Sequence, residues 1–283
     1  MELRDIIVLV DGSKAGEARL ALAVDLARRA PGRLTGVGII GRSSIVDAVP
    51  FIVGPGLGLL ASGSTASEPG FEGVPLIELD ERRFRSASGE LAADWRVADY
   101  GETRELIELG LLADLMILGQ AHPGEGASLW GFHPESVILA AGCPCLVAPC
   151  AGSFETIGKN VLVAWDDSRE AARALRAAKP LLRGSESVTV IGVSRGEQAA
   201  DKCGLSLDEV AARLTAGGIK ARAEPDLRGG LKVADVLLNR ASDLSADLLV
   251  TGSFHHSRVR EALLGGVSRD LLEHMTVPVL MSH

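Results

Sequence analysis

The 283 residues are 47% hydrophobic and 23% charged, a balance that excludes a mainly disordered chain and suits one large domain or two ordinary ones. With 29 basic and 37 acidic side chains the net charge is −8, which argues against a nucleic-acid binder. No apolar run reaches the roughly 18 residues of a membrane span. The charged start, Met1-Glu2-Leu3-Arg4-Asp5, lacks a signal-peptide core, so a cytoplasmic location is expected.

The first apolar run, 6–10, reads as a strand and leads into Asp11-Gly12-Ser13. A helical stretch over 16–30 and a strand over 34–37 follow. Residues 41–73 are rich in Gly, Ser, Pro and Ala with weak periodicity, so a long loop is expected there, displacing the second helix of this half. Residues 113–119 read as another strand, Pro134 suits the first position of a helix, and Cys143-Pro144-Cys145-Leu146-Val147 ends the half. Ala, Gly and Ser gather near 149–158, where a join is expected. Beyond it, strands are predicted at 160–164, 187–193, 220–224, 247–251 and 278–281, and helices at 169–182, 206–216, 232–244 and 267–274.

The two series are one pattern used twice. The run 161–165 with Asp166-Asp167-Ser168 repeats 6–10 with Asp11-Gly12-Ser13; 246–252 repeats 113–119; Thr276-Val277-Pro278-Val279-Leu280 repeats 143–147. Strands alternating with helices, and short enough to be apolar throughout, predict an α/β chain. Its two tandem Rossmann-like domains, 1–150 and 158–283, are each a five-stranded, mainly parallel sheet with helices on both faces. The charge is lopsided: residues 1–152 hold 12 basic and 20 acidic side chains, residues 153–283 hold 17 of each. The second half is the better candidate for an anionic ligand.

Open parallel sheets bind ligands beyond the carboxyl ends of their strands, where the strand order reverses. In the second half that selects Ala164, Trp165 and Asp166 after the first strand, and Gly252 and His255 after the fourth. Gly265, Gly266, Val267 and Ser268 then open the next helix. Glycine lets backbone approach a ligand, and the N–H groups of a helix start attract phosphate. The plainer reading gives Gly252 and Gly265 to tight turns and Trp95 and Trp165 to the core.

This pattern resembles the universal stress protein family, whose nucleotide-binding members carry Gly, two residues, Gly, nine residues, then Gly and Ser or Thr. Gly252 matches the first Gly and Gly265 the third; His255 stands at the second, and Gly266 replaces the hydroxyl residue. The resemblance covers nearly the whole chain, twice. It implies an adenine nucleotide alpha hydrolase-like fold and a stress sensor or regulator binding ATP or AMP, with or without Mg²⁺, in the second half. Asp166 would hold ribose hydroxyls, the Val193 backbone would read adenine, and residues 265–268 would receive phosphates. The last strands, near 144–147 and 278–281, would pair as an internal pseudo-dimer, with a homodimer of chains left open. No general base or metal-binding carboxylate cluster accompanies the loop, so no enzyme is expected beyond slow ATP hydrolysis.

The first half keeps Asp11 but departs further. Phe132 and His133 stand where small residues would cradle phosphate, and Pro134 has no N–H to give. Its cleft is expected to be filled by its own side chains or to take something less charged. A competing reading is a stress-related interaction protein that binds no nucleotide and turns its acidic first half and long loop towards an unknown protein partner. Cys143 and Cys145 are spaced C-x-C with no second pair and read as strand fillers rather than metal ligands. No His-Glu-x-x-His, no G-x-S-x-G elbow and no complete phosphate loop occurs, which argues against zinc and serine hydrolases.

Overall fold

Alternate side chains of each strand enter different cores. In a computed structural model, which describes residues 3–29, 32–40, 76–99, 103–120, 134–154, 156–194, 197–227, 229–253 and 266–283, Ile6, Val8 and Val10 join one apolar cluster and Ile7 and Leu9 the other. Val161 and Val163 part from Leu162 in the same way, and Leu248 and Val250 from Leu249. Such period-2 burial on both sides requires helices above and below the sheet.

The first half runs β1 (Asp5–Val10), α1 (Lys14–Arg29), β2 (Arg33–Ile40), α2 (Leu76–Ser88), β3 (Ala92–Asp99), α3 (Thr103–Gly110), β4 (Leu115–Gly119), α4 (Pro134–Ala140) and β5 (Cys145–Ala148). The second runs β6 (Asn160–Ala164), α5 (Arg169–Leu182), β7 (Ser187–Ser194), α6 (Glu197–Ala216), β8 (Ala221–Leu227), α7 (Val233–Asp243), β9 (Leu248–Gly252), α8 (Gly266–His274) and β10 (Val279–Ser282). The helices α1, α2, α5 and α6 supply the cluster on one face, and α3, α4, α7 and α8 the other. Leu146, Leu162 and Leu249 are wholly buried between these layers, each contributing about 1.5–3 kcal/mol.

The strands form one sheet in the order β3-β2-β1-β4-β5-β10-β9-β6-β7-β8. Pairing is parallel within each half and antiparallel between β5 and β10, where Val279 faces Val147, Leu280 faces Leu146 and Met281 faces Cys145. The last strands of the halves therefore pair where the sequence places them. Each half reverses strand order once, at β1/β4 and at β6/β9.

The repeated Asp114 and Asp247 act at the amino edge of the sheet. Asp114 accepts the N–H groups of Arg4 and Asp5 at 2.8 and 3.0 Å. Asp247 accepts those of Gly158, Lys159 and Asn160 at 3.0, 2.9 and 3.2 Å. Each clamps the start of its half's first strand, a structural duty on the side away from the strand ends that matter below.

Two helices begin two or more residues before their predicted starts. α1 begins at Lys14 rather than 16, because the Ser13 hydroxyl accepts the Gly16 N–H at 2.9 Å and caps the first turn. α6 begins at Glu197 rather than 206. Its buried stripe of Leu207, Val210, Ala211 and Leu214 anchors a helix that extends back through Gly204, since adding a turn to a formed helix is easier than starting one. The predicted 41–73 loop lies outside the described residues.

Candidate functional site

β9, β6 and β7 lie side by side and parallel, so their carboxyl ends share one edge. Ala164 ends β6, Trp165 and Asp166 leave it, Val193 is the last residue but one of β7, and Gly252 closes β9. Gly266, Val267 and Ser268 open α8, which returns towards β10 and so starts at that same edge. The topology thus brings the backbone of these predicted residues to one sheet edge, at the β6/β9 reversal. His255 and Gly265 lie outside the described residues.

The turn after β6 is built from its own acids. Asp166 Oδ1 accepts the Ser168 N–H at 3.1 Å, and Ser168 Oγ accepts the Ala171 N–H at 3.0 Å, capping α5. Asp167 between them is left-handed, with φ of 61°, which costs a residue with a Cβ about 1–2 kcal/mol. The Trp165 indole N–H donates to Asp167 Oδ1 at 2.7 Å and helps hold it there. Asp166 is exposed, and among the described residues its second oxygen meets no partner.

The other predicted residues divide. Gly252 is required by packing: a Cβ there would stand 2.5 Å from the Ala171 nitrogen and 2.7 Å from the Glu170 carbonyl carbon, so β9 can approach α5 only without a side chain. At Gly266 a Cβ would meet nothing within 4 Å among the described residues. Ser268 is buried and Val267 exposed. Ser253 is wholly buried, and its Oγ meets no partner among the described residues. Trp165 is not brought together with Ala164 and Val193: it packs on the α5/α6 face, and they pack on the other.

The matching position of the first half is closed. Asp11 Oδ1 accepts the Ser13 N–H at 3.1 Å and its hydroxyl at 2.7 Å, while Oδ2 accepts Arg19 Nη2 at 2.8 Å. Arg19 is only 3% exposed, donates from Nε to the Leu9 carbonyl at 2.8 Å, and lies over Gly119, where a Cβ would be 2.2 Å from Nη1. Burial alone would raise the Asp11 pKa. The Arg19 charge and the hydrogen bonds from Arg19 and Ser13 outweigh it and lower the pKa to about 2. From α2, Arg83 Nη1 donates to the Gly12 carbonyl at 3.0 Å, and the buried Asp80 sits 2.5 Å from where a Gly12 Cβ would be.

Arg19 was not singled out from the sequence, although the repeat carries a signal. Eight residues after Asp166 stands Ala174, wholly buried, and eight after Asp11 stands Arg19. A second missed residue is Gln120. Its Nε2 donates to the carbonyls of Leu272 and Glu273 at 2.9 and 3.1 Å, and its Oε1 accepts the Cys150 N–H at 3.0 Å, joining the end of β4 to the last turn of α8. Phe132 and His133 lie outside the described residues, and Pro134 begins α4 as expected.

Cys143 and Cys145 are free and buried. Among the described residues no group of three or more His, Cys, Asp and Glu side chains could hold a metal ion, and no helix is long and apolar enough to cross a membrane.

Residues 158–283 match the model of the universal stress protein family. A universal stress protein of Synechocystis is 29% identical over 178 residues, spanning 59% of this chain and 57% of the relative, less than two thirds of its length. A universal stress protein from Archaeoglobus fulgidus superposes over 98% of this chain and 97% of its own, with a TM-score of 0.64 at 17% identity. A structure from Pseudomonas aeruginosa, described as a putative universal stress protein, covers 99% of this chain and 93% of its own, with a TM-score of 0.59 at 14% identity. These structural likenesses carry the α/β fold. With the family match over residues 158–283 and the Synechocystis relative, they show what the chain is similar to: universal stress proteins.

Proposed function

We propose that the chain is a two-unit stress-related nucleotide binder, with units 1–150 and 158–283, that takes an adenine nucleotide, ATP or AMP, in the second unit only. The observation that carries this reading is the contrast between two equivalent carboxylates. Among the described residues Asp166 keeps one oxygen uncommitted at the strand-end edge where α8 starts, whereas both oxygens of Asp11 are taken by Ser13 and Arg19. In this reading Asp166 accepts ribose hydroxyls, the backbone at Val193 meets the base, and the N–H groups of Gly266, Val267 and Ser268 meet phosphate. Gly252 serves by keeping β9 against α5. Ligand binding without a catalytic base makes the protein a sensor or regulator rather than an enzyme.

Calorimetry with ATP and Mg²⁺ on the wild type and Gly266→Trp tests the reading. Among the described residues a Cβ at Gly266 meets nothing within 4 Å, so the substitution places an indole at the start of α8 without forcing it into the packed core. Binding in the wild type and its loss in a folded Gly266→Trp chain is the expected result. Equal binding by both chains would reject this cleft.

A further inference from the structure

The two halves carry the same groove, between the first and second helices of the repeat, and differ in whether its cations are paired. In the second half it is a cavity of about 500 Å³ between α5 and α6, within the size range of small-molecule sites. Leu175, Leu214 and Ile219 form an apolar floor, and Trp165 stands at one end. Arg176, Lys179 and Arg183 line one wall, and among the described residues none of the three has a hydrogen bond or ion pair. The fourth cation of the groove, Arg213, is taken by Glu209 at 2.5 Å.

The first half supplies the comparison. Its groove, about 460 Å³ between α1 and α2, holds Arg82 and Arg83, but Glu78 faces the one at 3.9 Å and Asp80 the other at 3.7 Å. The repeat sets Ala21 against Arg176, Val24 against Lys179 and Val10 against Trp165. Three uncommitted cations over an apolar floor, in a chain of net charge −8, need an anion that also carries an apolar body. The groove runs about 16 Å along α5 from Ala172 to Arg183 at 1.5 Å per residue, a length that suits an extended acyl chain.

We propose that the α5/α6 groove binds an amphipathic carboxylate of the medium-chain fatty acid class. The carboxylate lies at the Arg183 end, within the field of Arg183 and Lys179, and the chain runs over Ile219, Leu214 and Leu175, past Arg176, towards Trp165. This site lies among the helices of one sheet face and stands apart from the strand-end cleft, so it does not depend on nucleotide binding.

Decanoate, titrated below its micelle concentration at neutral pH, is the probe, followed by calorimetry and by tryptophan emission. The expected result is one saturable site per chain, an emission change absent from Trp165→Phe, and no competition from ATP. Arg176→Gln/Lys179→Gln/Arg183→Gln should weaken binding about tenfold or more, since exposed ion pairs are individually weak and act here together. Those three side chains are exposed, so the variant should melt with the wild type. Ala172→Phe, which fills the Trp165 end and leaves the charges in place, should also weaken binding. Absence of saturable binding up to about millimolar decanoate, a weakness beyond roughly −4 kcal/mol, would overturn the proposal. So would equal affinity in both variants, or binding of a Glu-rich amphipathic peptide while decanoate stays silent.

Discussion

Alanine at the two equivalent aspartates should separate stability from binding. Asp11→Ala strips Arg19 of its counter-charge while leaving the guanidinium, whose side chain is 4% exposed, in place. Removing one partner of a buried pair costs about 3–5 kcal/mol. The Asp11 side chain is 35% exposed, which weakens the pair and brings the expected loss to about 2–3 kcal/mol. Asp166→Ala loses one 3.1 Å bond at an exposed turn and should change stability by no more than about 0.5 kcal/mol. It should cost nucleotide affinity about tenfold to a hundredfold, as expected for hydrogen bonds to a charged group. Urea denaturation followed by circular dichroism gives the first quantity and calorimetry with ATP the second. Asp11→Ala/Arg19→Leu should recover much of the lost stability, because a buried pair replaced whole by apolar atoms is often neutral. An Asp11→Ala chain within 0.5 kcal/mol of the wild type would refute the view that Arg19 closes the first cleft.

Three further outcomes follow from the geometry. Gly252→Ala forces a Cβ to within 2.5 Å of backbone and should cost about 1–3 kcal/mol, read by thermal melting. Ser168→Ala removes the cap on α5 and should cost about 1 kcal/mol, read in the same way. The lowered Asp11 pKa adds stability that is complete above the ordinary carboxylate value of 3.8 and disappears as the pH falls through about 2. Discounted for solvent, that amounts to about 1 kcal/mol, since the neutral acid still accepts from Arg19. The acid-unfolding curve of Asp11→Asn should therefore flatten across that window, and an unchanged curve would contradict the assignment.

What was legible in the sequence is what repeats. The alternation of Val161, Leu162 and Val163 between two cores needs only a parallel sheet covered on both sides, and that pattern is plain in the residues. The β5/β10 pairing came from the family resemblance; the repeat itself showed only that Pro144 and Pro278 stand alike before the last strand of each half. For the first site the sequence left two readings, a cleft filled by its own side chains or one for a less charged ligand. It did not point to Arg19, which bonds Asp11 and the Leu9 carbonyl, because an arginine in an amphipathic helix ordinarily reads as solvated. Gly252 was read as serving either a ligand or a tight turn, and the 2.5 Å from its would-be Cβ to the Ala171 nitrogen gives it a duty neither reading named, packing against α5. Trp165 sits next to Asp166 in sequence, but strand parity sends its ring to the opposite face from Ala164.

The most direct test is the nucleotide content of the chain itself. Protein purified without added nucleotide, denatured, and chromatographed for adenine compounds should release close to one adenine nucleotide per chain, and Gly266→Trp should release none. Two per chain would mean that Arg19 does not close the first cleft. None from the wild type, together with no heat from ATP up to about millimolar (binding weaker than roughly −4 kcal/mol), would contradict nucleotide binding and favour an interaction protein that acts through its acidic first half.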